Sequence, residues 1–173
     1  MILSREKAAE ALEWTQCVME RIGLTLNETK TRLVEAKTER FDFLGYTFGP
    51  QRYRKDGHWY LGASPSKKSV QRLKAKVGAL LKPSNVGTWE EIRVRLNRML
   101  VGWTNYFGYG TRMMAYRTVD NYVYERVRGF LRRRHKVSSR GTRRFSDEVV
   151  FGQLGVVRLR RLHVGPPPAK ADR

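Results

Sequence analysis

The sequence predicts an α+β fold, in which a small N-terminal helix and a β-hairpin precede a three-helix bundle and a basic tail. Apolar residues recur at helical spacing near the N-terminus, and short runs rich in aromatic and β-branched residues follow between residues 31 and 62. After residue 64 the helical spacing returns in three separate segments. The length of 173 residues fits one domain, or a small domain with an attached fragment.

The first helix is expected over residues 4–23. Ser4 is a favourable N-cap and Gly23 a suitable C-cap. One face of the helix repeats apolar or small residues at spacings of three and four, and we expect that face to be buried. Its members are Ala8, Leu12, Thr15, Met19 and Ile22.

A small antiparallel β element is expected over residues 31–62. Residues 31–36 and 41–49 are rich in β-branched and aromatic side chains, as short strands are. The dipeptide Asp56-Gly57 lies between two further strand-like pieces and is a strong hairpin signal.

Three helices are predicted after residue 64, over residues 66–81, 88–108 and 116–136. Thr88 and Glu91 have the spacing of a capping box at the start of the second helix. Each helix has one apolar stripe, and the three stripes are expected to form the core. The core residues predicted are Val70, Leu73, Val77, Leu96, Leu100, Trp103, Val123, Val127 and Phe130. Beyond Lys136 we expect a loop, a short mixed piece and a polar tail, in which the arginines could be flexible arms.

The charge pattern favours a polyanionic partner. The chain has 35 Lys and Arg residues against 16 Asp and Glu, which gives a formal net charge of +19. So many positive charges repel one another in a compact chain unless a polyanion neutralises them. Nucleic acid is therefore the first candidate partner and an anionic membrane surface the second. A hydrophobic fraction of 40% is enough for a core and argues against wholesale disorder.

Other classes of protein fit the sequence less well. The single cysteine, Cys17, builds neither a disulfide framework nor a Cys-rich zinc site, which suits a reducing, cytoplasmic setting. No apolar run approaches the roughly 18 residues that a membrane span needs. His58, His135 and His163 lack metal-site spacing. We therefore expect no membrane association, and no metal or other cofactor bound by this chain.

Four motifs, in the expected order, resemble those of group II intron reverse transcriptases. The segments GLTLNETKTRLV at residues 23–34 and FDFLGYTF at residues 41–48 resemble the last palm motifs of that family. LVGWTNYFGYG at residues 100–110, and the Arg-rich helix after it, are similar to the family's maturase-specific domain, which also serves as the polymerase thumb.

The resemblance implies a C-terminal part of such a protein. Residues 1–63 would be a remnant of the palm, residues 64–136 the maturase-specific or thumb domain, and residues 137–173 a basic extension. The family's Tyr/Phe-Ala-Asp-Asp catalytic turn would lie before residue 4, and no two aspartates of this chain are adjacent. Two-metal phosphoryl transfer needs converging carboxylates. The resemblance thus implies no catalytic residue in this chain, and Mg²⁺ only in an intact polymerase.

The resemblance and the charge together predict that the chain binds structured group II intron RNA and assists its folding and splicing. Contacts to phosphates and 2′-hydroxyls would carry this recognition. DNA during retrohoming is a further candidate partner. The residues predicted to contact RNA are Lys67, Lys68, Arg72, Lys76, Asn105, Tyr106, Arg126, Arg128, Arg132, Arg133, Arg134 and Lys136.

Two other interpretations stay open at this point. The chain could be the C-terminal part of a split or truncated RNA-directed DNA polymerase, active only when a separate reverse transcriptase chain supplies the fingers and the catalytic palm. It could also be a relic of a retroelement with no function.

Overall fold

The computed structural model describes residues 7–27, 29, 31–53 and 56–162, and its fold is α+β, as predicted. The α-helices in these residues are α1 (Ala8–Arg21), α2 (Lys67–Leu80), α3 (Trp89–Tyr106) and α4 (Met113–Arg134). The strands β1 (Phe41–Phe43), β2 (Tyr46–Arg52) and β3 (Trp59–Pro65) pair in chain order as one antiparallel sheet. A π-helical segment (Val149–Gln153) and a 3-10 turn (Leu159–Arg161) follow α4.

Helix α1 differs from the prediction in its start and in its burial. It begins at Ala8, and the predicted cap Ser4 lies outside the described residues. None of its residues is fully buried. Ile22, which we expected on the buried face, is 64% exposed. The apolar stripe of α1 is therefore only partly buried by the other described residues.

The strand predicted over residues 31–36 is wrong. Residues 31–35 have no regular structure, and a turn begins at residue 36. The β propensity of this stretch does not suffice, because a strand needs a neighbour that takes its backbone hydrogen bonds. No strand of the described residues pairs with this segment.

The single strand predicted over residues 41–49 is instead two strands joined by a tight turn. Leu44 has a φ of 47° and Gly45 a φ of 81°. Two positive φ values are what a two-residue hairpin turn needs to match the twist of its strands. The second hairpin, at Asp56-Gly57, is confirmed. Its loop is closed by the amide of His58, which donates to Asp56 Oδ1 at 3.1 Å.

The three helices after residue 64 are confirmed, with their ends shifted by a few residues. Ser66 caps α2 by accepting from the backbone N–H of Ser69 at 3.2 Å. Thr88 and Glu91 form the predicted capping box at the start of α3, with donor–acceptor distances of 3.3 and 3.1 Å. Helix α4 begins at Met113 with no side-chain cap, three residues before the predicted start.

The apolar core lies among α2, α3 and α4. All of the predicted core residues are buried except Trp103, which is partly buried and packs against the cluster. Tyr116 adds a fully buried ring, whose hydroxyl donates to the carbonyl of Phe107 at 3.0 Å. Burial raises the pKa of Tyr116, so the hydroxyl stays protonated as a donor.

Residues 137–162 complete this core, which the sequence did not predict. Phe145, Val150, Val156 and Leu159 are all buried in the same cluster as the helices. The sequence predicted a loop and a short mixed piece here, but this segment contributes apolar side chains to the core.

Two polar side chains hold this segment against the helices. Asp120 of α4 is 1% exposed and accepts from the backbone N–H of Leu159 at 2.8 Å and from Nε of Arg160 at 3.0 Å. Asn97 of α3 donates to the carbonyl of Gly155 at 2.8 Å and accepts from the N–H of Val157 at 2.9 Å. Each side chain thus satisfies backbone groups that a core of apolar residues would leave unpaired.

The chain divides into two compact units. One contains α1, β1 and the stretch 48–61. The other contains residues 44–47 and the chain from residue 62 onward, and it holds the core. The domain boundaries predicted at residues 63 and 136 stay predictions.

Candidate nucleic-acid interface

Helix α2 presents four unpaired cations. Lys67, Lys68, Arg72 and Lys76 are exposed, and their side chains make no hydrogen bond or ion pair with any described residue. The sequence of α2 contains no Asp or Glu that could neutralise them. Their positive charges therefore add up, and the surface they form attracts anions.

A cleft of about 560 Å³ lies between α2 and α3. Arg72 and Lys76 line it from α2, and Arg98 lines it from α3. No acidic residue is among those that line it. The volume is within the roughly 300–1,000 Å³ typical of small-ligand sites.

Aromatic rings form one wall of the cleft. Trp103, Tyr106 and Phe107 all line it. The ring of Phe107 lies between the other two, with centroid distances of 4.8 Å to each. Such contacts hold the rings in fixed orientations, so the cleft combines a rigid apolar wall with cationic side chains.

The turn between β1 and β2 also lines the cleft, and two tyrosines fix it there. Tyr106 Oη donates to the carbonyl of Leu44 at 2.9 Å, and Tyr46 Oη donates to the carbonyl of Tyr106 at 2.8 Å. Burial raises the pKa of Tyr46, so its hydroxyl remains a donor.

Gly45 must be glycine at this turn. A Cβ atom there would lie 2.9 Å from Ser69 Oγ and 3.1 Å from Cζ of Phe107, and the φ is positive. The turn therefore lies closer to the helices than a side chain at position 45 would allow.

Three of the predicted RNA-contacting arginines of α4 are held by other groups of the chain. Arg126 donates to the carbonyl of Gly78 at 3.2 Å, and Arg134 donates to the carbonyl of Gly87 at 2.7 Å. Arg128 pairs with Glu125 and lies 5.1 Å from the ring centroid of Tyr124.

The other basic residues at this end of α4 have no such partners. Arg133 and Lys136 are exposed, while Arg132 is half-buried. The side chains of these three residues make no hydrogen bond or ion pair with any described residue. The exposed positive charge of α4 is thus smaller than its sequence implies.

Part of this unit is similar to a known family. Residues 70–146 match the family model of the group II intron, maturase-specific domain. This segment is similar to a maturase-specific domain. The match confirms the resemblance to group II intron maturases and indicates a maturase-type function. No curated protein matches the chain.

The residues that match this family model begin within α2 and end after α4, so they contain most of the cleft. Asn105 and Tyr106 were predicted to lie outside the apolar stripe of α3. Asn105 is exposed. Tyr106 is 54% exposed and lines the cleft. The described residues include no helix long and apolar enough to cross a membrane.

Two residues of the cleft wall within the matched segment, Arg98 and Gly102, were not among those predicted from the sequence. They lie one helical turn apart on α3, and Tyr106 follows one turn later, so the spacing of four was a usable signal. The apolar stripe of α3 is a stronger pattern in the sequence and masks this spacing.

Proposed function

We propose that this chain binds structured group II intron RNA through the maturase-specific domain and favours the RNA fold that splices. The observation that carries the proposal is the row of unpaired cations on α2, Lys67, Lys68, Arg72 and Lys76, within and beside the matched domain. Phosphates are the groups that such a row neutralises, and release of their counterions drives binding.

The exposed cations of α4 extend this surface in the proposal. Arg133 and Lys136 have side chains open to solvent, and Arg132 is half-exposed. Asn105 and Tyr106 would add polar contacts at the end of α3. Arg126, Arg128 and Arg134 are expected to contribute less, because carbonyl or carboxylate groups of the chain already occupy their guanidinium groups.

A salt series with a matched pair of variants tests this proposal. Lys67→Gln with Lys68→Gln removes two unpaired cations of α2. Lys7→Gln with Arg128→Gln removes the same charge from cations that pair with Glu10 and Glu125. We expect the first variant to lose affinity for structured RNA and to flatten the slope of log K against log salt by up to about one unit per lost phosphate contact.

The control variant should keep most of the affinity and the slope of the wild type. Equal losses in both variants would mean that only net charge matters and would remove α2 as the binding surface. A wild-type slope near zero would contradict phosphate binding altogether.

A second candidate function is that of a polymerase part completed by another chain. The specific observation is that large apolar residues of the first unit are exposed, among them Trp14 at 68% and Leu24 at 55%. Scattered exposed apolar residues are common, but several on one small unit favour a protein partner. Primer extension by this chain mixed with a chain that carries fingers and catalytic palm would support it. No extension by the mixture would exclude it.

A further inference from the structure

The cleft between α2 and α3 has features that phosphate binding alone does not require. A surface that only neutralises phosphates needs exposed cations, and α2 already supplies them at Lys67 and Lys68, which do not line the cleft. The cleft adds an open volume of about 560 Å³ and the rings of Trp103 and Tyr106. These features call for a ligand with an apolar, planar part.

The three cationic side chains of the cleft indicate that the ligand also has an anionic part. Arg72, Lys76 and Arg98 line it, and no carboxylate lies among the lining residues to neutralise them. Arg72 and Lys76 are one turn apart on α2, so they face the cleft from the same side. A ligand that is anionic at one end and aromatic at the other satisfies both groups, and a nucleotide has this composition.

Gly102 gives independent support, because nothing in the fold explains it. It lies inside α3, where glycine is less stable than alanine. A Cβ atom at this position would meet no atom within 4 Å, so packing does not demand a glycine. Gly102 lines the cleft. Its missing side chain leaves room for a ligand at that wall.

We propose that the cleft takes one unpaired nucleotide of the RNA, with its base against Trp103 and Tyr106 and its phosphate at Arg72, Lys76 and Arg98. This inference rests on the proposed RNA-binding function and names the feature of the RNA that the domain selects. Bases inside a duplex are stacked and cannot reach the aromatic wall, whereas a bulged or looped-out base can. The ligand is therefore a single-stranded or bulged position next to paired RNA.

The test uses two RNA hairpins that differ in one nucleotide. One carries a single bulged 2-aminopurine, and the other is fully paired. The full chain should bind the bulged hairpin about tenfold or more tightly than the paired one, which is the range that stacking of a base on an aromatic side chain supplies. The fluorescence of 2-aminopurine should change on binding as the base moves onto the rings.

Gly102→Leu places a side chain in the cleft and leaves all four exposed cations of α2 in the sequence. We expect this variant to bind both hairpins with the affinity that the wild type has for the paired one, and to lose the fluorescence change. Its melting temperature should not fall, since leucine is a better helix former than glycine and the position is open. Arg98→Gln is a second test, because it removes one of the three cations of the cleft. It should also reduce the preference for the bulged hairpin.

Each outcome separates the two proposals. Equal affinity of the wild type for both hairpins, or a preference that survives Gly102→Leu and Arg98→Gln, would overturn the nucleotide cleft and leave general RNA binding intact. Failure of the wild type to bind either hairpin would overturn the proposed function itself.

Discussion

Replacing Asp120 should destabilise the helical unit more than replacing any exposed carboxylate. Its side chain is 1% exposed and accepts three hydrogen bonds, from the amides of Leu159 and Arg160 and from Nε of Arg160. In Asp120→Ala the amide of the fully buried Leu159 loses its acceptor, which costs about 1–3 kcal/mol.

The other two bonds contribute less to the expected loss. The amide of Arg160 is 3.3 Å from the carboxylate and only partly buried, and the Arg160 side chain is 34% exposed and can turn to water. Together with the loss at Leu159, we expect Asp120→Ala to lower the free energy of unfolding by about 2–4 kcal/mol. Asp120→Asn keeps one acceptor oxygen and should lose less.

Urea unfolding followed by tryptophan fluorescence would measure this loss, because Trp89 and Trp103 pack against the core. The matched control is Glu90→Ala, which removes a 68% exposed carboxylate from its pair with Arg93 and should cost roughly 0–1 kcal/mol. If Asp120→Ala loses no more than this control, the carboxylate does not hold residues 155–162 in place.

Two further predictions concern backbone geometry and pH. Gly110→Ala should destabilise by at least about 1–3 kcal/mol, because φ is +68° and a Cβ would lie 2.1 Å from the carbonyl oxygen of Ala63. Gly102→Ala should instead stabilise by about 0.5–1 kcal/mol, and thermal melts of the two variants would show the opposite signs. The His58 backbone N–H donates to Asp56 and holds the pKa of that carboxyl below 3.8. Its contribution to hairpin stability is therefore present above pH 3.8 and is lost as the pH falls through the lower folded pKa, which NMR titration and amide exchange at His58 would follow.

The features that the sequence predicted well are those set by neighbours along the chain. The Thr88–Glu91 capping box depends on residues three apart, and the apolar stripes depend on helical spacing. Both are local patterns, and both appear in the structure. The predicted strand at residues 31–36 failed because pairing, which is not local, decides whether a strand forms.

The features that the sequence did not predict depend on distant contacts. Residues 145–162 have no strong periodicity, yet their apolar side chains meet helices that lie tens of positions earlier. The sequence does not distinguish the arginines of α4 from one another. In the structure, Arg126 donates to the carbonyl of Gly78 and Arg134 donates to the carbonyl of Gly87. Arg133 is exposed to solvent. Which charges remain for a ligand is a property of the packed helices.

The hydrogen bonds of Asn97 and Asp120 also constrain the order in which the protein folds. Their partners lie about 60 and 40 residues further along the chain, at Val157 and Leu159. During synthesis, α3 and α4 emerge first and cannot complete their buried polar contacts until those residues follow. Contacts of such sequence separation slow folding. A nascent chain stopped at residue 146 should therefore hold a loosely packed bundle, which tightens only once residue 159 has left the ribosome.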